Sequence, residues 1–485
     1  MLYCFYDLYW KRKNLPPGPM PLLVAGNIPY LLLYNSVDEM FLDWKNRYGP
    51  LVTFWIGPIP LVMVTEINKM KEYFVQHSNV FSNRWRNFIT DTFMGGANGV
   101  VQIDGQKWQE QRRFSLHVLR DFGVGRSLIE PKIELEVEEF IDHLRRNCNK
   151  PVDICQMLAV CVGNIIHNIL FGYRFPQVYI YLFKGSEEFH RLHSVLDKQS
   201  KIVINPFMGM YIAAPWLTKV PFVNKKFKEL LDLRETLWTY LKKQVKAHQN
   251  SYSSDMELTD FTYRYLKEME DRASKRIQGY FNEWQLTMLL LDLFFAGMET
   301  TVTTMKWGFL MTMIHQDVQA KVQEELDQFS NQIQLIDQAR CPYTVATIKE
   351  IQRIANILPI NLLRTVSEDI SLDGYFYSKG TLCIPQISIA MNDPENFDDP
   401  RSFRPERFLD DDMKTAKRYD AFMPFSIGKR QCLGESLAKA ELFLIYANIL
   451  RNFKLCPYSN NPEIQRTLGL TVSPTPYKCL VKLRS

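Results

Sequence analysis

FSIGKRQCLGE at residues 425–435, leading into the apolar stretch LAKAELFLIYANIL at 437–450, is the segment that dictates a chemistry. Cys432 stands on a glycine-punctuated loop at the mouth of a helix, where backbone N–H groups and the positive end of the helix dipole favour a thiolate over a thiol. Gly428 and Gly434 permit turns and close backbone approach that a Cβ would block. Arg430 adds a cation, and Phe425 is placed to lie against the sulfur. A cysteine taken alone reads as a small core hydrophobe; in this spacing it reads as a metal ligand. No second Cys or His follows at metal-ligand spacing, which argues against zinc and against an iron–sulfur cluster. A haem iron, already held by four ring nitrogens, needs only one protein sulfur.

Upstream, from Asn282, the apolar period is that of a long helix. Asn282 and Gln285 are spaced as a capping box, with Leu289, Leu293, Ala296, Trp307 and Leu310 along its length. Inside it lies AGMETT, residues 296–301. A mid-helix glycine costs about 1 kcal/mol relative to alanine, and β-branched threonines add to that, so the segment breaks a local rule. Two readings stand. One is a groove in which Gly297 lets a ligand approach the backbone, Thr300 offers a hydroxyl and Glu299 relays protons; the other is a packing glycine between crowded helices. A further helix, expected over 344–358, carries Glu350 and Arg353 on one face, and PERF follows at 405–408. Trp108 and Arg112, four apart in GQKWQEQRRF (105–114), also share a helical face, while Arg364 lies in an extended stretch after Pro359.

The 485-residue chain has 46% hydrophobic and 23% charged residues, an ordinary globular composition with no linker, repeat or low-complexity tract to divide it. Lys and Arg outnumber Asp and Glu by 58 to 53, too even a balance to point to nucleic acid. Nine cysteines without paired spacing suggest reduced thiols. Residues 127–275 read as amphipathic helices with solvated charged faces, such as KKFKELLDLRETLWTYLKKQVK. Short β-type runs at PLVTFWIG, PLVMVTE, YFYSKGTLCIP and KCLVKLR indicate a minor sheet, so the fold class is mainly α with a minor β-sheet region. IAAPWLTKVPFV, with Trp216 and Phe222 beside Lys219 and Pro221, reads equally as a membrane-interface segment or as interior packing. Residues 1–10 are apolar and aromatic but far short of the roughly 20 needed to span a bilayer. Lys11, Arg12, Lys13 and the hinge Pro16-Pro17-Gly18-Pro19 follow.

The cysteine loop, AGMETT, the Glu350/Arg353 pair with PERF, and RRFSLHVLRDFG (112–123) together resemble the cytochrome P450 family of haem-thiolate monooxygenases, and most closely its animal microsomal group that oxidises drugs and fatty acids. The resemblance implies one large P450 domain over residues 20–485, preceded at 1–19 by a short apolar segment, basic stop and proline hinge. Microsomal members have a longer anchor, so here the chain either starts late or keeps an interfacial foothold, at the cytoplasmic face of the endoplasmic reticulum. Haem b would be bound with Cys432 as axial thiolate. Its propionates would be held by Trp108, Arg112, Arg364 and Arg430, with Phe425 and Ala296 beside it. Thr300 and Glu299 match the family's acid–alcohol pair, and Glu350, Arg353 and Arg407 its buried structural network. Val100, Gln102, Phe295, Leu363 and Leu470 fall where that group lines its substrate pocket. Implied partners are an NADPH-cytochrome P450 reductase, cytochrome b5 as an optional donor, a membrane surface and an apolar small molecule, a xenobiotic or polyunsaturated fatty acid. Arg112, Arg113, Arg120, Lys429 and Lys439 would form the basic patch that steers an acidic redox partner. A haem-thiolate isomerase or peroxygenase without external reductase is the rival reading, and a non-enzymatic haem sensor a more distant one.

Overall fold

Among the described residues, eleven helices of 11 residues or more carry the architecture, and the sequence explains where the central ones begin and end. The computed structural model describes residues 11–22, 25–34, 36–123, 129–175, 186–458 and 464–484; the expected N-terminal segment 1–10 lies outside them. In chain order the main helices are α1 (Val37–Tyr48), α2 (Gly105–Asp121), α3 (Glu130–Arg146), α4 (Ile154–Phe171), α5 (Ser186–Val203) and α6 (Lys225–Ser251). They continue with α7 (Phe261–Ser274), α8 (Glu283–Ile314), α9 (Gln316–Leu326), α10 (Pro342–Ala355) and α11 (Glu435–Asn452).

α8 is the axis of the molecule, touching α4, α6, α9, α10 and α11. Asn282 caps it by accepting from the Gln285 N–H at 2.9 Å. The expected capping box is only half made. The Gln285 side chain instead donates to Gly99 O at 2.6 Å and accepts from Gly99 N–H at 3.2 Å. Two turns further on, Asp292 accepts from the Val100 and Val101 N–H groups at 2.7 and 2.9 Å. α8 therefore pins the loop that leads into α2 and its Trp108.

The amphipathic expectation for 127–275 holds for α3, α6 and α7 but fails at α4, which is buried on nearly every face. α4 is apolar all round because it is sandwiched against α3 and α8. α10 starts two residues earlier than expected, with Pro342 preset for the first turn, and stops at Asn356, whose left-handed backbone (φ 39°) caps it well before Pro359.

Each of the four β-type runs contains a strand. β1 (Leu51–Ile56), β2 (Ile59–Val64), β3 (Asn83–Arg84), β4 (Arg364–Thr365) and β5 (Leu382–Pro385) form one sheet in the order β1-β2-β5-β4-β3. β1 and β2 are an antiparallel hairpin, β2 and β5 are parallel, and the β3–β4 register sets Arg84 opposite Arg364. That pairing brings two arginines from distant sequence to one sheet edge.

Candidate functional site

The 425–435 loop is held by its own backbone. The Cys432 N–H donates to Phe425 O at 2.9 Å, closing the loop, and Gln431 N–H donates to Gly428 O at 2.9 Å. Gly428 is required here. Its φ is 73°, and a Cβ would sit 1.8 Å from Phe74 O. Gly434 is different: its φ is ordinary and the space beside it is open, so its missing side chain serves the cavity that it borders. Cys432 lies deep in the protein yet is accessible to a water-sized sphere, because its sulfur faces that same cavity. Burial pushes its thiol pKa up; the Gly434 N–H and Arg112 pull against this, and Glu435 reinforces it. The expected preference for thiolate is thus not met by the helix mouth alone, since desolvation of the anion outweighs the local dipoles.

The cavity measures about 310 Å³, within the range of small-molecule and cofactor sites. Cys432, Phe425 and Gly434 line it together with Ala296, Gly297 and Thr300 of α8. Ala296 is exposed in the middle of a core helix for this reason. At one end Trp108 and Arg112 of α2, Arg430 and Arg84 complete the wall. Arg430 lies over the Trp108 ring, 3.9 Å from its centroid, and donates to Asp104 Oδ1 at 2.6 Å, Ser82 O and Ile103 O. Arg112 reaches Gln431 O at 2.7 Å. Arg84 donates to Val101 O and Leu362 O. Arg364, just behind, donates to Ile427 O at 2.8 Å and Ser426 Oγ at 3.2 Å, while its Nε and Nη1 are buried without partners.

The whole-chain comparisons agree with this arrangement. Residues 16–481 match the family model described as Cytochrome P450. The chain belongs to the cytochrome P450 family. Among relatives, it is 36% identical over 480 residues to Cytochrome P450 2B2 of Rattus norvegicus, covering 98% of this chain and 95% of the relative. It is 35% identical to Cytochrome P450 2A12 of Mus musculus (92% and 89% covered) and 33% identical to Cytochrome P450 2J2 of Homo sapiens (96% and 91% covered). As a P450 it is a haem monooxygenase, an oxidoreductase whose cofactor is haem b with an axial cysteine thiolate.

The residues present fit that cofactor. Four guanidinium groups, those of Arg84, Arg112, Arg364 and Arg430, lie close enough to act on one another, and among the described residues only Arg430 of the four is ion-paired with a side-chain carboxylate, that of Asp104. Burial, and for Arg84 and Arg430 repulsion from neighbouring arginines, disfavour their charged forms, pulling Arg430 down to about 9 and Arg364 to about 10. Guanidinium nonetheless stays protonated near neutrality, so the cluster calls for additional anions. Two propionates are such anions, and buried carboxylates favour arginine donors.

Of the other residues singled out in the sequence, Glu350, Arg353 and Arg407 do meet. Glu350 accepts from Arg353 Nε and Nη2 at 2.7 and 2.8 Å, from Arg407 Nε at 3.1 Å and from the Arg404 N–H at 3.0 Å. The pocket residues divide. Val100 lines the cavity, whereas Gln102, Phe295, Leu363 and Leu470 are not part of its wall. The reason is geometric. Leu362 takes the cavity side where Leu363 turns to pack beside the hairpin sheet, and Phe295 lies on the opposite flank of α8 from the lining stripe 292–293, 296–297, 300–301 and 304.

Glu299 shares that outer flank with Phe295. It accepts from Thr471 Oγ1 at 2.6 Å, and burial leads the causes that raise its pKa. Thr300 faces the cavity, its hydroxyl donating to Ala296 O at 2.8 Å. Gly297 combines both of its readings, since it borders the cavity and a Cβ would come 2.7 Å from Ile166 Cδ1 of α4. In the basic patch, Arg113, Arg120, Lys429 and Lys439 are exposed, whereas Arg112 is drawn inward to the cavity wall.

Two site residues escaped the sequence reading. Arg84, in FSNRW, had no recognisable spacing to the others; only the β3–β4 register discloses it. Glu441 of α11 sat in an apolar run and passed as part of it. It is 1% exposed, lines the cavity, accepts from Thr301 Oγ1 at 3.0 Å and leaves Oε1 without a partner; burial pushes its pKa up to about 8.

Proposed function

We propose that this P450 inserts one oxygen atom from O2 into an apolar small molecule, a xenobiotic or polyunsaturated fatty acid, by hydroxylation or epoxidation. Electrons come from an NADPH-dependent flavoprotein reductase, with cytochrome b5 as an optional donor. Cys432 is the axial ligand. The observation that carries this is its placement: it is the cysteine in the wall of the cavity, across from Ala296 and Thr300 and beside the arginine-rich end.

When bound, the haem supplies oxygen activation, and thiolate ligation favours O–O cleavage. The rest falls to the chain. Arg84, Arg112, Arg364, Arg430 and the Trp108 indole hold and orient the propionates. The leucine and isoleucine side chains around Thr300 exclude water and favour an apolar substrate. Thr300 Oγ1 spends its own proton on Ala296 O, leaving lone pairs that accept from a water in the cavity. Glu299 brings protons toward that water from the outer flank of α8. Exposed Arg113, Arg120, Lys429 and Lys439 steer the reductase. Trp216, 65% exposed, and Phe222, 95% exposed, with Leu32 and Leu33, suit contact with the cytoplasmic face of the endoplasmic reticulum membrane.

Reduced, haem-loaded protein under carbon monoxide is expected to show the red-shifted Soret band of thiolate ligation, and Cys432→Ser to lose it. A folded, haem-loaded wild type without that band would falsify the assignment. Metabolite profiling of the reconstituted system then identifies the substrate. Thr300→Ala should lower product per NADPH several-fold; unchanged coupling, or full turnover without reductase, favours a peroxygenase or isomerase.

A further inference from the structure

The carboxyl assigned to proton delivery is fastened away from the cavity. Thr471 Oγ1 donates to Glu299 Oε1 at 2.6 Å and lies 3.5 Å from Thr303 Oγ1, one turn further along α8. Thr471 is 4% exposed and anchored on both sides. The Leu470 N–H donates to Ser200 O on α5 at 2.8 Å, the Val472 N–H to Ile357 O beyond α10 at 2.8 Å, and Trp307 Nε1 of α8 to Val472 O at 2.8 Å. A short antiparallel pairing, Arg466–Thr467 with Ser473–Pro474, closes the tip that carries it. The hydroxyl is thus presented to Glu299 by a segment tied to three helical regions. The charged groups bearing on the carboxyl are Lys306 of α8 and Asp197 and Lys201 of α5, with His193 of α5 beside them. Asp197 and Lys201 are about half exposed and paired with each other, so this flank is the solvent side.

We propose that Thr471 is the positioning residue of Glu299: its hydroxyl fixes the carboxyl on the outer flank of α8, beside the solvent-side charges, and so governs where that acid exchanges protons. This rests on the reading of Glu299 as the relay acid. In the cycle it implies, a carboxylate oxygen of Glu299 takes a proton from solvent on the α5 side. The Thr471 bond, which favours the ionised form, weakens on protonation. The neutral acid is then free to turn and release the proton to a cavity water, regenerating the carboxylate that Thr471 recaptures.

Thr471→Val keeps the shape and removes the donor; Thr471→Ser restores it. The test is pH-difference infrared spectroscopy of the haem-loaded protein, with the Glu299 carboxyl band assigned by its loss in Glu299→Gln. The valine variant is expected to raise the titration midpoint of that band by about one to two pH units, the equivalent of one lost hydrogen bond to a charged group. The serine variant should return it to the wild-type value. In the reconstituted system, the alkaline limb of product per NADPH should move up by the same amount. A midpoint unchanged or lowered in Thr471→Val overturns the proposal. If Glu299→Gln leaves coupling intact, the relay reading falls, while the hold of Thr471 on Glu299 is still decided by the midpoint alone.

Discussion

Two buried clusters of arginine, one around Glu350 and one reaching the cysteine loop through Arg364 and Arg430, differ in what satisfies them. Around Glu350, Arg353 spends all five N–H bonds: three hydrogen bonds to carbonyls of Met391, Pro400 and Ser402 and two to the carboxylate. Arg407 adds the same carboxylate and the carbonyls of Asp398, Asp399 and Ser402. Around Arg364, by contrast, two guanidinium nitrogens are left unpartnered, and of Arg84, Arg112, Arg364 and Arg430 only Arg430 is ion-paired with a carboxylate among the described residues. The first cluster is complete within the polypeptide and reads as structure. The second is complete only with an anionic ligand, because a buried unpaired charge is too costly to be kept for stability alone.

The sharpest way to break that contrast is Glu350→Ala. It strands Arg353 and Arg407 and is expected to cost about 3–5 kcal/mol, with or without haem. Denaturant unfolding of both forms checks it, and a loss confined to the haem-loaded form would move this cluster into the ligand class. Arg364→Met should behave in the opposite way. Haem-free protein should be no less stable than wild type, while haem retention weakens by about 1.5–3 kcal/mol, the worth of a hydrogen bond to a charged group; haem transfer to apomyoglobin measures it.

Glu441 sharpens the comparison from the acidic side. Its folded pKa of about 8 lies above the unfolded value, so the folded state keeps a proton that the unfolded state gives up from about pH 4.5 upward. Its stability contribution is therefore full below that pH, falls as pH rises toward 8, and is level beyond. Relative to Glu441→Gln, wild type should lose about 1 kcal/mol between pH 6 and pH 7. Parallel stability curves for the two proteins in that window would mean the acid is ionised and paired when the cavity is filled.

Much of the fold was legible in residue order because helix caps, proline and strand alternation act over a few residues. Asn282 announced the start of α8, and LVTFWI and PLVMV their strands. Boundaries slipped where a local device was overlooked, as at α10, where Pro342 starts the helix and Asn356 ends it. Gln285 shows the other failure: its spacing promised a cap, but Gly99, nearly two hundred positions earlier, offered two backbone groups instead.

What the amino-acid order alone determined is the cysteine loop: glycine at a left-handed position, sulfur four residues later and the helix after it are set by bonds between near neighbours. The tertiary structure alone decided which side chains share the cavity. Successive residues on a helix point about 100° apart, so Thr300 looks in while Glu299 looks out. Arg84, Arg364 and Arg430 become neighbours only when a sheet register and a loop closure, remote from one another in the chain, are imposed by burial of the core.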